Sequence, residues 1–179
     1  MQVLLSPVDR TDQVALLFKR TFTDSEGAEE GAVIHDLAHA LLTTTPEDDL
    51  RVFVAEEDGT LTACAIFTRL RFASDPRAAF LLSPMAVATA HQGQGVGQEL
   101  IRYALKTLRA EGVDVAVTYG DPNFYGRVGF EPVSTDTVPA PQPLNMPEGW
   151  IAQSLKDAPL TSLASPSVCV PALDRPDVW

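Results

Sequence analysis

The sequence predicts an α/β (α+β) fold, a mixed sheet with helices on both faces. Three observations carry this. Two strand-like runs, Arg51 to Glu57 and Thr60 to Phe72, meet at Asp58-Gly59, among the strongest short hairpin signals. A third run, Ala79 to Ala88, leads through a glycine-rich stretch into an amphipathic helix. Another strand, Val113 to Tyr119, follows that helix, and hairpins followed by a helical crossover make a mixed sheet.

Taken in order, Val3 to Ser6 reads as a short first strand ended by Pro7. Asp9 or Thr11 caps a helix running to about Thr21, with Val14, Leu17 and Phe18 on one face. A break from Asp24 to Gly31 separates it from a second helix, Ala32 to Leu42, and Thr43 to Asp49 turns into the hairpin. Ser74 to Arg77 is the next turn. Pro84 falls inside the third run; a proline cannot donate to a ladder, so it belongs at an edge or a bulge. The helix from about Val96 to Ala110 carries Leu100, Ile101, Ala104, Leu105 and Leu108 at helical period, and Gly112 closes it. Asp121-Pro122 turns the chain again, and Phe130 to Ser134 reads as a short strand. Nine of the 14 prolines lie between Pro132 and Pro176. Residues 135–148 read as a long loop, Trp150 to Leu155 as a returning strand, and 157–179 as an irregular segment with enough apolar residues to pack. The expected division is therefore one domain, 1–157, with 158–179 packed on it.

Composition narrows the function. A length of 179 residues suits one domain with a substantial core. The net charge of −11 argues against nucleic acid and anionic membrane surfaces, and attracts cationic amines weakly. Cys64 and Cys169 are too few for a disulfide-stapled domain, and Cys64 reads as a reduced core thiol. With no signal-like start and no run approaching ~20 apolar residues, the expected compartment is the cytoplasm.

The glycine-rich stretch carries the chemistry. Gly93, Gly95 and Gly97 alternate with Gln94 and Val96 at the start of the helix, where backbone amides and the helix dipole favour a phosphate. A Walker loop fails, because Gly97 is followed by Gln98 and Glu99. A dinucleotide Gly-x-Gly-x-x-Gly fails, because the third glycine would fall at Gln98 or Leu100. Gln/Arg-x-x-Gly-x-Gly/Ala is met by Gln92, Gly95 and Gly97. Twenty-eight residues after Gly97, Tyr125-Gly126-Arg127-Val128-Gly129-Phe130 matches a Tyr-x-x-x-Gly-Phe pattern. Together these resemble the GNAT superfamily of N-acetyltransferases. The likeness is specific from about Phe80 to Phe130.

The resemblance implies a mostly antiparallel twisted sheet with a splayed central strand pair, into which the pantetheine arm of acetyl-CoA enters near Pro84. It implies that Met85, Ala86 and Val87 line that arm, Met85 and Val87 by strand-like hydrogen bonds. Gln92, Gly93, Gln94, Gly95, Val96, Gly97 and Gln98 would cradle the pyrophosphate, and Asn123, Phe124 and Arg127 would add contacts to the coenzyme, with Arg102 a further salt partner. Tyr125 becomes the general acid, since a phenol of pKa ~10 stays protonated at neutral pH; the competing reading is a core aromatic beside Phe124 and Phe130. Many relatives carry Asn-x-x-Ala ahead of that tyrosine, but the Asn position here is Thr118, so the following helix is shortened or absent. The base is not readable: the strand from Phe80 to Val87 has no carboxylate, which leaves Glu56, Glu57 and His91. The acceptor is a primary amine of a small molecule or protein, and a homodimer is among the assemblies the family uses.

Two other patterns are set aside. His35 and His39 have the spacing of a zinc-protease helix, but Asp36 replaces the glutamate and only His91 remains as a third histidine, so no metal is expected. Asp114 precedes its strand's apolar run, where a ribose-binding acid would end it. The reading is thus an acetyl-CoA-dependent N-acetyltransferase; the alternatives are a non-catalytic acyl-CoA-binding module and, disfavoured by the glycine spacing, a nucleotide binder.

Overall fold

A computed structural model describes residues 1–6 and 8–179; the strand-ending role expected of Pro7 lies outside the described residues. The chain forms two units, residues 1–67 with 84–104, and residues 68–83 with 105–179.

In the first unit, strand β1 (Gln2–Leu5) runs antiparallel to β2 (Leu50–Glu57), from Gln2 opposite Glu56 to Leu5 opposite Phe53. The hairpin from β2 to β3 (Thr60–Phe72) turns at Asp58 and Gly59, whose φ angles of 49° and 77° are both left-handed. That is the type I′ geometry that Asp-Gly encodes. Helix α1 (Thr11–Glu26) buries Val14, Ala15, Leu17 and Phe18, and α2 (Ala28–Thr44) buries Leu37, Ala38 and Leu41. Each such large apolar side chain contributes roughly 1.5–3 kcal/mol.

Two expectations change here. The cap of α1 is neither Asp9 nor Thr11 but Arg10, with no side-chain cap bond. Its guanidinium binds Gln13 Oε1 at 3.1 Å and Glu56 Oε2 at 2.6 Å. The break expected from Asp24 to Gly31 shrinks to Gly27 alone (φ 101°), because Glu29 and Glu30 belong to the first turn of α2, where the dipole favours acids. Gly31 of α2 packs directly against the backbone of α1. A Cβ there would stand 2.0 Å from Thr23 Oγ1 and 2.7 Å from the Lys19 carbonyl. Phe53 meets Phe67 edge-on at 5.7 Å, and Cys64 is fully buried, which pushes its thiol pKa up.

In the second unit, β4 (Ala79–Val87) begins parallel to β5 (Val115–Tyr119), from Ala79 opposite Val115 to Leu82 opposite Thr118. This is the strand pair bridged by helix α3 (Val96–Ala110), which Gly112 closes in left-handed conformation. Strand β7 (Trp150–Ser154) lies antiparallel to β5 on one side and to the short β6 (Glu131–Pro132) on the other. The expected irregular segment contains a strand, β8 (Ser167–Val168), antiparallel to the end of β3. Its Leu163, Cys169, Val170, Leu173 and Trp179 are buried. The long loop before β7 is tied down through Trp150, fully buried, whose indole N–H donates to the Val138 carbonyl at 2.7 Å. The result is the predicted class: a mixed α/β fold whose sheet is mostly antiparallel.

Candidate active site

The glycine-rich turn belongs to the first unit. Strand β4 ends at Val87, the Ala88 amide donates to the Thr62 carbonyl at 2.8 Å, and a short 3-10 turn, Thr89–His91, leads to Gln92. Thr89 Oγ1 donates to Asp24 Oδ2 at 2.6 Å, which ties this turn to α1. Gly93 and Gly95 adopt φ of 72° and 81°, a region costly to other residues, and a Cβ built at either meets nothing within 4 Å. The glycines therefore serve the path of the backbone and leave open space beside it. Val96, Gly97 and Gln98 form the first turn of α3, so Gly97 is helical where Gly93 and Gly95 are not. The opening amides of a helix have no partner within it, and they carry the positive end of its dipole.

The two glutamines flanking Gly93 turn back on this loop. Gln92 Nε2 donates to the Val87 carbonyl and Gln94 Nε2 to the Ala90 carbonyl, each at 3.0 Å. Gln92 thus braces the end of β4, a role its place in the motif did not suggest. Arg102 reaches Gln98 Oε1 at 3.3 Å.

Tyr125 belongs to the second unit. After Tyr119 the chain turns at Gly120, and Asp121 Oδ1 accepts the Asn123 amide at 2.9 Å. That cap, with Pro122 at the first position, starts a four-residue helix, α4 (Pro122–Tyr125). The usual helix is indeed short here. Asn123, Phe124 and Tyr125 lie on it, and Arg127 in the 3-10 turn that follows. The Tyr125 ring stands edge-on to Phe124 at 5.0 Å and to Phe130 at 5.7 Å. Gly120 seats it, since a Cβ there would come within 2.7 Å of Tyr125 Cε2.

Burial pushes the Tyr125 phenol up to about 12, the Thr118 hydrogen bond opposing and the Asp121 charge assisting. No signal in the sequence marks Thr118 as the partner of this tyrosine. Fully buried in β5, the Thr118 hydroxyl donates to the Leu82 carbonyl at 2.9 Å, at the last rung of the β4–β5 ladder. One side chain therefore closes the ladder and meets the tyrosine. Strand β4 continues five residues past that rung, through Pro84, which has no N–H to pair.

Of the three candidate bases, Glu56 is taken by Arg10. Glu57 lies 3.6 Å from His91 Nε2 and 3.8 Å from the Met1 amine. His35 and His39 stack at 6.4 Å, and among the described residues no group of three or more His, Cys, Asp or Glu is placed to hold a metal.

Comparison with known proteins decides the family. The acetyltransferase (GNAT) domain model matches residues 48–132. The Escherichia coli K12 protein named uncharacterized N-acetyltransferase YjhQ is 35% identical over 133 residues, 70% of this chain and 72% of that protein. This chain belongs to the GNAT superfamily. Its fold agrees with the crystal structure of the E. coli GNAT protein YhbS in complex with CoA, at a TM-score of 0.78 and 21% identity, covering 97% of this chain and 92% of that one. It agrees also with a Brucella melitensis GNAT acetyltransferase in complex with acetyl-CoA (TM-score 0.64, 23% identity, 92% and 95% covered). Acyl transfer is the activity that this GNAT membership supports. No helix among the described residues is long and apolar enough to cross a membrane.

Proposed function

We propose that this GNAT protein transfers an acetyl group from acetyl-CoA to a primary amine of a small molecule or protein, with donor and acceptor bound together. The observation that carries the reading is the Tyr125 phenol, held protonated by burial and hydrogen-bonded to Thr118. Acetyl-CoA, when bound, supplies an acetyl group activated as a thioester. Met85, Ala86 and Val87 hold its pantetheine arm, and the amides of Gln92, Gly93, Gln94, Gly95, Val96, Gly97 and Gln98 take the pyrophosphate. Asn123, Phe124 and Arg127 contribute further contacts. The fit rests on the left-handed Gly93 and Gly95, the open space beside them and the helix that follows. Both glutamine side chains fold back, so phosphate binding relies on amides and dipole. Tyr125 Oη keeps its proton at neutral pH and gives it to the departing sulfur.

The same reading takes residues 1–157 as the acetyltransferase domain with 158–179 packed on it, and keeps a homodimer among the assemblies open to it. It places the protein in the cytoplasm, with which the two buried, unpaired cysteines agree.

The test is a thermal-shift panel with acetyl-CoA, CoA, NAD and ATP, followed by thiol-release assays on Tyr125→Phe. A ligand at a hundred times its Kd stabilises by ~2.7 kcal/mol. Stabilisation by the two coenzyme A species alone, with turnover in the variant falling roughly 10²–10⁴-fold, is the expected result. Equal turnover in both proteins removes Tyr125 from the mechanism. Coenzyme binding without turnover on any amine would favour the non-catalytic module, which the carboxylate-free β4 already suggests.

A further inference from the structure

A small cavity of about 40 Å³ in the second unit is lined by Leu81, Ser83, Tyr119, Leu173, Val178 and Trp179. Ser83 and Tyr119 are the residues just past the last β4–β5 rung, Leu82 opposite Thr118. Successive side chains of a strand point to opposite faces, so Thr118 and Tyr119 look away from each other. The Tyr125 hydroxyl bonds to Thr118, which puts it on that side of β5. The cavity, lined by Tyr119, lies on the other.

We propose that this cavity receives the amine-bearing end of the acceptor, and that Trp179 sets its width so that the substrate is a slender, unbranched primary alkylamine. The inference rests on the acetyl-transfer reading above. If Tyr125 protonates the leaving sulfur from one face of β5, the nucleophile approaches from the face where Tyr119 and Trp179 stand. A single water needs roughly 10–15 Å³, so 40 Å³ admits an aminomethyl group and little that is branched. Trp179 is a fixed wall. Its indole N–H donates to the Leu173 carbonyl at 2.8 Å, and Asn145 Nδ2 donates to its backbone oxygen. Its ring stacks on Tyr119 at 6.1 Å and meets Trp150 at 5.9 Å.

The lining also addresses the missing base. Its side chains include no carboxylate, amine or imidazole, only the Ser83 and Tyr119 hydroxyls, and the Tyr119 hydroxyl already accepts the Met146 amide at 2.6 Å. Desolvation in such a place lowers an amine's pKa by up to ~3–5, whereas the attraction of an ammonium to aromatic faces restores only about one. Desolvation wins, and the amine's pKa falls toward neutrality, so a neutral fraction is presented. Its proton leaves to solvent as it enters, so the attacking nitrogen needs no carboxylate on β4. After the C–N bond forms and the C–S bond breaks, the nitrogen's remaining surplus proton goes to solvent, and Tyr125, having protonated the sulfur, is recharged from solvent.

The experiment compares n-butylamine with cyclohexylamine on the native chain and on Trp179→Ala. Saturation-transfer NMR reads binding without acetyl-CoA, and thiol release reads kcat/KM with it. Native protein should bind and acetylate n-butylamine in preference. Trp179→Ala should bind cyclohexylamine and raise its kcat/KM relative to n-butylamine by 10-fold or more, the scale on which apolar pockets sort substrates by shape. The KM for acetyl-CoA should not change. An unaltered ratio, or no binding of n-butylamine by the native chain while other amines are acetylated, overturns the pocket and leaves the acetyl-transfer reading standing. Binding that follows these preferences without turnover supports the pocket and sinks acetyl transfer. Should Trp179→Ala fail to fold, Trp179→Phe and Val178→Ala widen the same wall more gently and are judged by the same ratio.

Discussion

A phenol shifted to about 12 stays protonated across the whole range in which enzymes of amines are assayed, so the proton on Tyr125 is a fixed part of the site. Thr118 is its moderator, since this hydrogen bond favours the ionised form. Thr118→Val should therefore move the alkaline limb of kcat upward in pH. It should also lower kcat about 10-fold, because a proton held more tightly is passed on less readily, while coenzyme binding stays unchanged. The linkage to stability has a definite sign. The folded value lies above the unfolded one of ~10, so below that pH this stabilisation is fully present; it is lost as pH rises from ~10 to about 12. A denaturation series over that range should show the loss in the native chain and a shallower one in Tyr125→Phe. At this scale the sequence was informative about identity and silent about surroundings. Tyr125 stood out by its spacing from Gly97. Gly120, Thr118 and the bracing role of Gln92 did not, because what they do depends on neighbours that only the folded chain brings near.

Among the elements, the turn that opens α3 and the pair α1–α2 use glycine for different physical reasons, and substitution separates them. Gly95 needs its left-handed φ but has empty space at the Cβ position. Gly95→Ala should cost about 1–2 kcal/mol of local strain. We expect it to appear chiefly as a roughly tenfold weaker coenzyme affinity in titration calorimetry, as the turn relaxes away from its binding path. Gly31 has ordinary backbone angles but no room, with the Lys19 carbonyl 2.7 Å from a Cβ. Gly31→Ala should part the two helices, lowering stability by about 1–3 kcal/mol in urea unfolding with coenzyme binding intact. The hairpin and α3 were legible because their signals are local: Asp58-Gly59 fixes a turn, and a helical stripe ended by Gly112 fixes a helix. The extent of the break between α1 and α2 is not legible from such local signals. A glycine followed by acids resembles a loop, yet those acids sit in the opening turn of α2, whose dipole favours them.

For the molecule as a whole, the Pro-rich second half was the least readable part, since it is ordered by contacts between distant residues. Arg77 donates to the Thr161 carbonyl, Thr161 Oγ1 and the Ser162 carbonyl at 3.0, 2.9 and 2.7 Å, and Asp75 holds Arg77 in place. The Arg77 guanidinium keeps the Asp75 carboxyl down at about 2, below its unfolded value of ~3.9. This stabilisation is present above pH ~4 and disappears as pH falls toward 2. Asp75→Asn should cost about 1–2 kcal/mol at pH 7 and flatten the acid limb of the stability curve. The tilted ring pair of Trp150 and Trp179 has a practical consequence of another kind. These are the only two tryptophans in the chain, and both lie in the second unit, 5.9 Å apart. Intrinsic emission is thus a gauge of that unit alone, whereas the long helices α1 and α2 make far-ultraviolet circular dichroism report heavily on the first. Heated together, the two signals distinguish a single cooperative melt, in which they coincide, from separate melting, in which they part.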